Sequence, residues 1–326
     1  MKHIYTFFLI AIITFLEASA CDVCNIFEYN TIQQKSFIGV FYRYRMFNGY
    51  EQLGHSGNMF IPRKATMHEP EDAGFFADKN DRDYETYQTL ELRINHTIKS
   101  KVNLMAILPF RRNVAYYANV IEPPRPQHDS TFTSKGLGDL VLAGDYMFRL
   151  ESKNGNHVFR PGLAVNLPTG QYNKEAGNGE LHDPILQPGS SAWAIIFRFN
   201  YQYFNMVNKY GFTASTNFMK SGLGENGYRF ADSFNAQAAL FYQKSLGSWN
   251  FVPRLGAYFE TAGNNVWNGN IQNLTGGDTL FGDIGLDINK NAVTFQAIYQ
   301  AKLYENLTGN QIGNAGRLNF GVIVNI

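Results

Sequence analysis

Apolar and polar residues alternate with a period of two along much of this 326-residue chain. In the last segment Leu318, Phe320 and Val322 fall on one face, whereas Arg317 and Asn319 fall on the other. Successive side chains of a β-strand point to opposite sides, so this alternation predicts strands with one apolar and one polar face. The pattern therefore predicts an all-β protein.

About a dozen segments show this alternation. They are 35–46, 84–98, 102–111, 138–150, 157–167, 191–203, 211–220, 230–244, 249–261, 280–288, 293–303 and 316–326. Most are long enough for the roughly 9 to 11 residues that a tilted crossing of a bilayer requires. An even number of strands places both ends of the wall on the same side of the membrane.

The connections between these segments alternate between short and long. The short ones are 99–101, 152–156, 205–209, 245–247 and 289–291, and the long ones are 47–83, 113–135, 170–190, 221–227, 262–277 and 305–314. Outer-membrane barrels have short periplasmic turns and long outer loops. We therefore predict a transmembrane antiparallel up-and-down β-barrel of about 12 strands in the bacterial cell outer membrane.

The N-terminus has the features of an export signal. Lys2 and His3 precede an apolar stretch, 4–16, and the small residues Ala18, Ser19 and Ala20 follow it. A charged start, a short apolar region and a small-residue cleavage site define a signal peptide. We expect a signal peptide at 1–20, a periplasmic segment at 21–34 and the barrel at 35–326. Lipidation of the mature N-terminus remains an alternative to simple cleavage.

Composition supports a membrane barrel. Aromatic residues make up 15% of the chain and charged residues 17%, and the mean hydropathy is -0.26. Barrels need aromatic girdles at both interfaces, and only alternate residues of each strand face lipid, so the mean hydropathy stays low. The formal net charge of +1 gives no reason to expect a nucleic-acid partner. The expected partners are the lipid bilayer and a small-molecule solute.

Positions along each strand alternate between the outer face and the lumen, and we call this alternation strand parity. It places a set of charged side chains on the wall of the lumen: Arg43, Arg45, Glu91, Arg93, Asp139, Asp145, Arg149, Arg160, Arg198, Arg254, Glu260, Asp283, Asp287, Lys302 and Arg317. We treat them as candidate pore-lining residues. Charges of both signs are interleaved, so they either pair across strands and fill the lumen or set a field across a narrow pore. Parity alone does not measure the bore of a barrel of this size.

Two motifs in the middle of the chain resemble a known family. The first is Gly136-Leu137-Gly138-Asp139-Leu140, which opens a strand, and the second is Leu167-Pro168-Thr169-Gly170, which ends the next one. The pair is similar to the outer-membrane family named for transport in the meta pathway of phenol degradation. The resemblance implies an outer-membrane barrel associated with the passage of small aromatic or apolar compounds.

Cys21 and Cys24 form a C-D-x-C start to the predicted mature chain, which resembles a subset of transporter-like barrels. Two thiols at this spacing can close a disulfide or bind a soft metal ion. A structural zinc site needs a second pair of ligands, and none follows nearby in the sequence. The two cysteines are therefore a candidate metal site against a default of disulfide or lipid anchor, and we expect no cofactor.

Three functions remain open from the sequence. The favoured one is an outer-membrane channel that passes small apolar or aromatic solutes by passive diffusion. The second is a metal-associated or structural barrel that acts through its N-terminal cysteines and outer loops. The third is a barrel enzyme, for which His96 and Ser215 are the nearest candidates. Parity places those two side chains on opposite faces of the wall, so we expect no catalytic site.

Overall fold

The computed structural model describes residues 36–50, 81–120, 128–176 and 181–326. Across these ranges no helix is long and apolar enough to cross a membrane. The predicted signal peptide, the predicted periplasmic segment and both cysteines lie outside the described residues.

Twelve strands in the described ranges build the wall. In chain order they are β1 (Phe37–Tyr50), β2 (Tyr84–Ile98), β3 (Val102–Val120), β4 (His128–Leu137, Leu140–Tyr146 and Phe148–Ser152), β5 (Gly155–Leu167), β6 (Ala194–Asn205), β7 (Tyr210–Ser221), β8 (Ser233–Tyr242 and Lys244–Leu246), β9 (Trp249–Ala262), β10 (Gly277–Lys290), β11 (Val293–Leu307) and β12 (Ile312–Asn325). Three short strands, Tyr228–Arg229, Val266–Trp267 and Asn270–Ile271, form a separate small sheet.

Each wall strand pairs in antiparallel fashion with the strand that follows it in the chain. The last strand returns to the first, because β12 pairs with β1 from Phe37 opposite Asn325 to Tyr50 opposite Ile312. This pairing closes the sheet and removes its edges. The predicted closed up-and-down barrel is confirmed.

The short connections are tight turns at one end of the barrel, as predicted. Between β2 and β3, Lys99 and Ser100 have φ angles of 47° and 54°, and the Lys101 amide donates to the Ile98 carbonyl at 3.0 Å. Two successive positive φ angles define a type I′ turn, which matches the twist of paired strands. Both ends of the wall lie at the same end as these turns, which is the periplasmic end in outer-membrane barrels.

The two faces of the wall differ as the alternation predicts. On β12 the outward Leu318, Phe320 and Val322 are exposed, while Arg317 and Asn319 are buried. The same division holds in β2, where Leu92 and Ile94 are exposed and Glu91, Arg93 and Asn95 are buried. An apolar outer face and a polar interior are the requirements of a barrel in hydrocarbon.

The connection predicted as a long loop at 113–135 is largely strand. β3 continues to Val120 and β4 begins at His128, with Val114 opposite Thr133 and Tyr116 opposite Thr131. β-Branched and aromatic residues favour a pleated, half-buried surface, and this hairpin is rich in them. The outermost pair between β4 and β5 is Leu140 with Leu167. The β3–β4 hairpin extends outward beyond this pair.

Candidate functional site

The inner wall of β1 and β2 holds a buried carboxylate between two arginines. Arg43 Nη2 lies 2.6 Å from Glu91 Oε1, and Arg93 Nε donates to Glu91 Oε2 at 2.8 Å. The Arg93 guanidinium carbon lies 4.1 Å from the centre of the Phe41 ring. Each side chain is held by both an ion pair and the wall around it, so its position is well defined.

A second carboxylate brings β9 and β12 together across the lumen. Arg317 Nη1 donates to Glu260 Oε2 at 2.7 Å, and its other terminal nitrogen donates to Oε1, which makes the contact bidentate. Arg317 also stacks on Phe281, with 4.1 Å between the guanidinium carbon and the ring centre. Arg45 lies directly opposite Arg317 in the β1–β12 register and stacks on Tyr87.

These groups form the arginine belt, which we define as Arg43, Arg45, Arg93 and Arg317 with Glu91 and Glu260. All six side chains are buried. The belt as defined holds four arginines and two glutamates, and two further buried carboxylates, Asp283 and Glu305, lie on the neighbouring strands β10 and β11.

Carboxylates on β10 are bound by amides from the neighbouring strands. Asp283 accepts hydrogen bonds from Gln237 at 2.8 Å and from Gln300 at 2.9 Å. Asp287 accepts one from Gln296 at 3.0 Å. Arg254, from the adjacent β9, is half-buried. This part of the inner wall is polar, and its carboxylates accept hydrogen bonds from neutral amides with the Arg254 side chain on the adjacent strand.

The inner wall of β3 to β7 is different, because it contains a buried apolar cluster that we call the apolar sector. Its members are Met105, Ile107, Val141, Ala143, Ala164, Ala194, Ile196 and Met219. They point inward by parity, since the residues between them on each strand, such as Leu104 and Ile195, are exposed on the outer wall. The apolar sector therefore occupies the inner wall from β3 to β7 and adjoins the arginine belt at the β2–β3 pair, where Arg93 lies opposite Ile107 in register.

Residues 181–193, which we call the inward segment, enter the lumen at the outer end of the barrel. Leu186 is buried against Tyr87 and Ala115, and Phe47 and Phe132 pack around the same cluster. The Asn113 side-chain amide donates to the Leu186 carbonyl at 2.9 Å, which fixes the backbone. The outer end of the lumen is thus covered by an apolar and aromatic layer.

Asp139 attaches the inward segment to the wall. Its carboxylate accepts hydrogen bonds from the Gly170 amide at 2.9 Å, the Ser190 amide at 2.9 Å, the Ser190 hydroxyl at 2.6 Å and the Asn166 side-chain amide at 3.1 Å. The Asp139 carboxylate is buried. It therefore faces inward as parity predicts, but it binds the loop rather than the open lumen.

The two sequence motifs meet at this attachment. The Leu140 amide donates to the Thr169 hydroxyl at 2.9 Å. A Cβ added to Gly170 would lie 2.7 Å from backbone atoms of both Gly138 and Gly189, so only glycine fits there. The G-x-G-D-L and L-P-T-G motifs thus form one structural unit that shapes the outer mouth.

The remaining candidates occupy different environments. Arg198 lies 3.5 Å from Asp145, and both are buried. Arg160 is also buried inside the wall, whereas Arg149 is exposed near the periplasmic turn. The structure therefore brings most of the predicted set into the lumen but leaves Arg149 at its rim.

Lys302 pairs with a residue that parity alone did not identify. Its ammonium lies 3.1 Å from Glu305 Oε2, and Glu305 is fully buried. A β-bulge near Leu303 inserts one extra residue into β11 relative to β10. Lys302 and Glu305, which are three positions apart, therefore point to the same face of the wall. The sequence predicts a strand end at 303 and a long loop over 305–314, and that loop prediction is wrong, because β11 continues to Leu307 and β12 begins at Ile312.

The residues considered for catalysis do not come together. His96 is exposed on the outer wall, and Ser215 is on the inward-facing side of β7. The serine beside His96 is Ser36, whose hydroxyl oxygen lies 3.2 Å from His96 Nδ1 and accepts from the Thr97 amide at 3.0 Å. That contact joins the start of β1 to β2 at the periplasmic end.

A groove of about 740 Å³ lies on the outer wall between β8 and β12. Leu240, Leu255, Ile284 and Phe320 are among the residues that line it, and all four are exposed on the lipid-facing side. The groove therefore belongs to the surface that contacts hydrocarbon and is separate from the lumen described above.

Comparison with known proteins places this barrel in a family. The family described as the putative MetA-pathway of phenol degradation matches residues 104–310. No curated protein sequence is significantly similar to the chain.

A solved outer membrane channel shares the fold. The COG4313 outer membrane channel from Pseudomonas putida F1 is 17% identical, with 92% of this chain and 98% of that chain covered and a TM-score of 0.60. The β domain of the Bordetella autotransporter BrkA is 13% identical, with 90% and 99% covered and a TM-score of 0.43. Since the family match spans well over half of the sequence, the chain belongs to the family of the putative MetA-pathway of phenol degradation and is an outer-membrane β-barrel.

Proposed function

We propose that this barrel is a channel through which small apolar or aromatic solutes cross the outer membrane by passive diffusion. The observation that carries the proposal is the division of the inner wall into the apolar sector and the arginine belt. An interior filled only by salt bridges has no need for a buried apolar surface beside its charges. The family's description and the channel from Pseudomonas putida are consistent with this function.

The two surfaces suit an aromatic solute in complementary ways. The apolar sector offers a surface from which water is excluded, and burial there is favourable for a ring. Guanidinium groups attract the face of an aromatic ring, and two arginines of the belt already stack on Phe41 and Phe281. A solute ring that enters the lumen would replace Phe41 or Phe281 as the stacking partner of an arginine, at little cost in free energy.

Passage requires the inward segment to move. Leu186 and the aromatic residues around it cover the outer end of the lumen, and this layer is held by the Asp139 carboxylate and the Asn113 side chain. In the proposed mechanism the solute separates the layer and then slides between the apolar sector and the belt. No energy source is needed, so net flux follows the concentration gradient.

We also propose that residues 1–20 are removed on export and that residues 21–34 lie in the periplasm. The support is the signal-peptide pattern of the N-terminus and the position of the start of β1 at the short-turn end of the barrel.

The test is a bi-ionic potential measurement in planar bilayers with sodium benzoate on one side and sodium gluconate on the other. The two anions carry the same charge, and benzoate alone has an aromatic ring. We expect benzoate to be severalfold more permeant than gluconate. Equal permeability of the two anions would contradict the proposed preference, and the absence of conductance from folded protein would overturn the channel itself.

Neighbouring residues on β6 provide a matched pair of variants. Ile196 belongs to the apolar sector, and Ile195 is exposed on the outer wall at the same depth. We expect Ile196→Ser to remove most of the preference for benzoate and Ile195→Ser to leave it unchanged. If both variants behave alike, the apolar sector is not part of the path.

A further inference from the structure

An exposed pair of cations lies on the outer wall. Arg112 on β3 and Lys135 on β4 are directly opposite each other in register, and both side chains are exposed. Like charges at directly opposite positions of a sheet destabilise the pairing. Neither residue forms an ion pair with any other described residue. The wall therefore maintains a local excess of positive charge on its outside.

The pair lies at the outer boundary of the apolar band. A strand rises about 3.4 Å per residue and is tilted by roughly 40°, so the distance from Val102 at the periplasmic turn to Arg112 corresponds to about 25 Å along the membrane normal. That is the height of the apolar band in outer-membrane barrels. One step closer to the periplasm, Phe110 and Leu137 are exposed to hydrocarbon. The cations are thus at the level of the outer headgroups.

The surroundings provide further hydrogen-bond donors, and the carboxylate further out on the same face, Asp129, accepts from the Tyr116 hydroxyl at 2.6 Å and pairs with Arg82. Arg112 pairs across strands with Gln88 on β2, and Gln88 pairs with Tyr44 on β1, so these residues and Lys135 form one cross-strand row. Outward positions of β1 from 38 to 48, β2 from 84 to 98, β3 from 102 to 116 and β4 from 131 to 137 include no Asp or Glu. Above the row, Tyr84 and Tyr116 stack with 5.1 Å between ring centres. The site is therefore a cationic row bordered by aromatic rings.

We propose that Arg112 and Lys135 bind the phosphate of a lipid headgroup in the outer leaflet, where the lipid is a phosphorylated glycolipid. A guanidinium binds phosphate with two parallel hydrogen bonds, and an ammonium adds a point charge. Directly opposite residues have Cβ atoms about 5 Å apart, so both side chains reach one phosphate group. The anion removes the repulsion between them, while the lipid's acyl chains lie along the apolar face below.

The test uses the full folded barrel in detergent with purified diphosphorylated lipid A as the probe, and bound lipid is measured by native mass spectrometry. The test variant is Arg112→Ser with Lys135→Ser. Arg112→Lys with Lys135→Arg keeps the charges, and Lys290→Ser removes an exposed cation at the periplasmic rim, where it stacks on Trp249. We expect the double serine variant to retain about tenfold less lipid A and both controls to match the unchanged protein.

Equal retention by the double serine variant and the unchanged protein would overturn the proposal. Equal binding of lipid A lacking both phosphates would also overturn it, because the site would then recognise the acyl chains alone. Inorganic phosphate that displaces lipid A at an equal concentration would show a site for free anions instead of a lipid. Heat-modifiability in SDS confirms folding of each variant, and single glutamine substitutions at the same positions replace the double variant if it does not assemble.

Discussion

Two parts of the inner wall, the arginine belt and the apolar sector, differ in chemistry although they adjoin at the β2–β3 pair. On β1, β2, β9 and β12 the arginine belt is held by bidentate and stacked contacts such as Arg317 on Glu260 and Phe281. On β3 to β7 the apolar sector is a cluster of buried aliphatic side chains that includes Ile107 and Ile196, with the buried pair Asp145 and Arg198 on the same strands. In the proposed channel, the belt would act on the charge of a solute and the apolar sector would provide a surface for its apolar part.

The largest expected effect comes from removing a counter-charge of the belt. Glu260→Gln leaves Arg317 buried without its bidentate partner and directly opposite Arg45. Breaking a buried ion pair by removing one member costs about 3 to 5 kcal/mol. We expect a loss of that size in the free energy of unfolding, measured by urea titration of the folded barrel in detergent.

A matched double variant tests whether charge is the cause. Glu260→Gln with Arg317→Gln removes both members of the pair, and a neutral pair of similar volume leaves no unpaired buried charge. We expect it to recover at least half of the lost stability. If the double variant is less stable than the single one, packing of the Arg317 side chain on Phe281 dominates the belt.

The second prediction concerns the segment that covers both sides of the lumen. Asp139→Ala removes the acceptor for three backbone and side-chain donors of the loop at Gly170 and Ser190. Hydrogen bonds to a charged group contribute about 1.5 to 3 kcal/mol each, and exposed donors recover part of this from water. We expect faster proteolysis within 181–193 and a severalfold higher conductance.

The control is Asp145→Asn on the same strand, because Asp145 pairs with Arg198 and lies opposite Asn103, next to the periplasmic turn. It should leave the cleavage rate within the segment unchanged. A cleavage rate in Asp139→Ala equal to that of the control would mean that the apolar contacts of Leu186 hold the segment without the carboxylate.

The strand alternation was sufficient to predict the wall, and the reasons lie in single residues. Leu318 and Arg317 must face opposite sides whatever the register, so lipid and lumen faces follow from sequence. Turn residues that accept positive φ, such as Asn291, mark the periplasmic end in the same way. These features depend only on local geometry, which is determined within a single strand or turn.

The features that the sequence did not predict depend on several strands at once. Ile107 and Ile196 face inward by parity, but only closure of the barrel shows that they form one surface. The role of Asp139 depends on a loop that returns to it from position 190, and Glu305 reaches the lumen only because of a bulge. Long-range contacts and register shifts leave no periodic signal in a single strand.

A smaller effect is expected on ion selectivity. Arg93→Gln reduces the positive excess of the belt by one charge, which lowers the barrier for cations in a narrow low-dielectric bore. We expect the reversal potential under a salt gradient to shift towards cation selectivity. Arg149→Gln is the control, because Arg149 is exposed at the periplasmic rim and should change the potential far less. Equal shifts would place the selective region at the rim.

The smallest effect is expected from the cysteines. Cys21 and Cys24 precede β1 by more than ten residues, in sequence without period-two alternation. We therefore expect them to contribute nothing to the stability of the barrel wall. We expect Cys21→Ser with Cys24→Ser to leave heat-modifiability, urea stability and benzoate permeability unchanged.

The intact mass of the purified protein then identifies the chemistry of the pair. A deficit of two protons indicates a disulfide, which is the default outside the cytoplasm. An added acyl mass on Cys21 indicates a lipoprotein, and a retained metal ion indicates a thiolate site, which needs deprotonated ligands. A barrel that does not assemble without the cysteines would mean that residues 21–34 take part in building the wall, because only a segment in contact with the strands can change their stability.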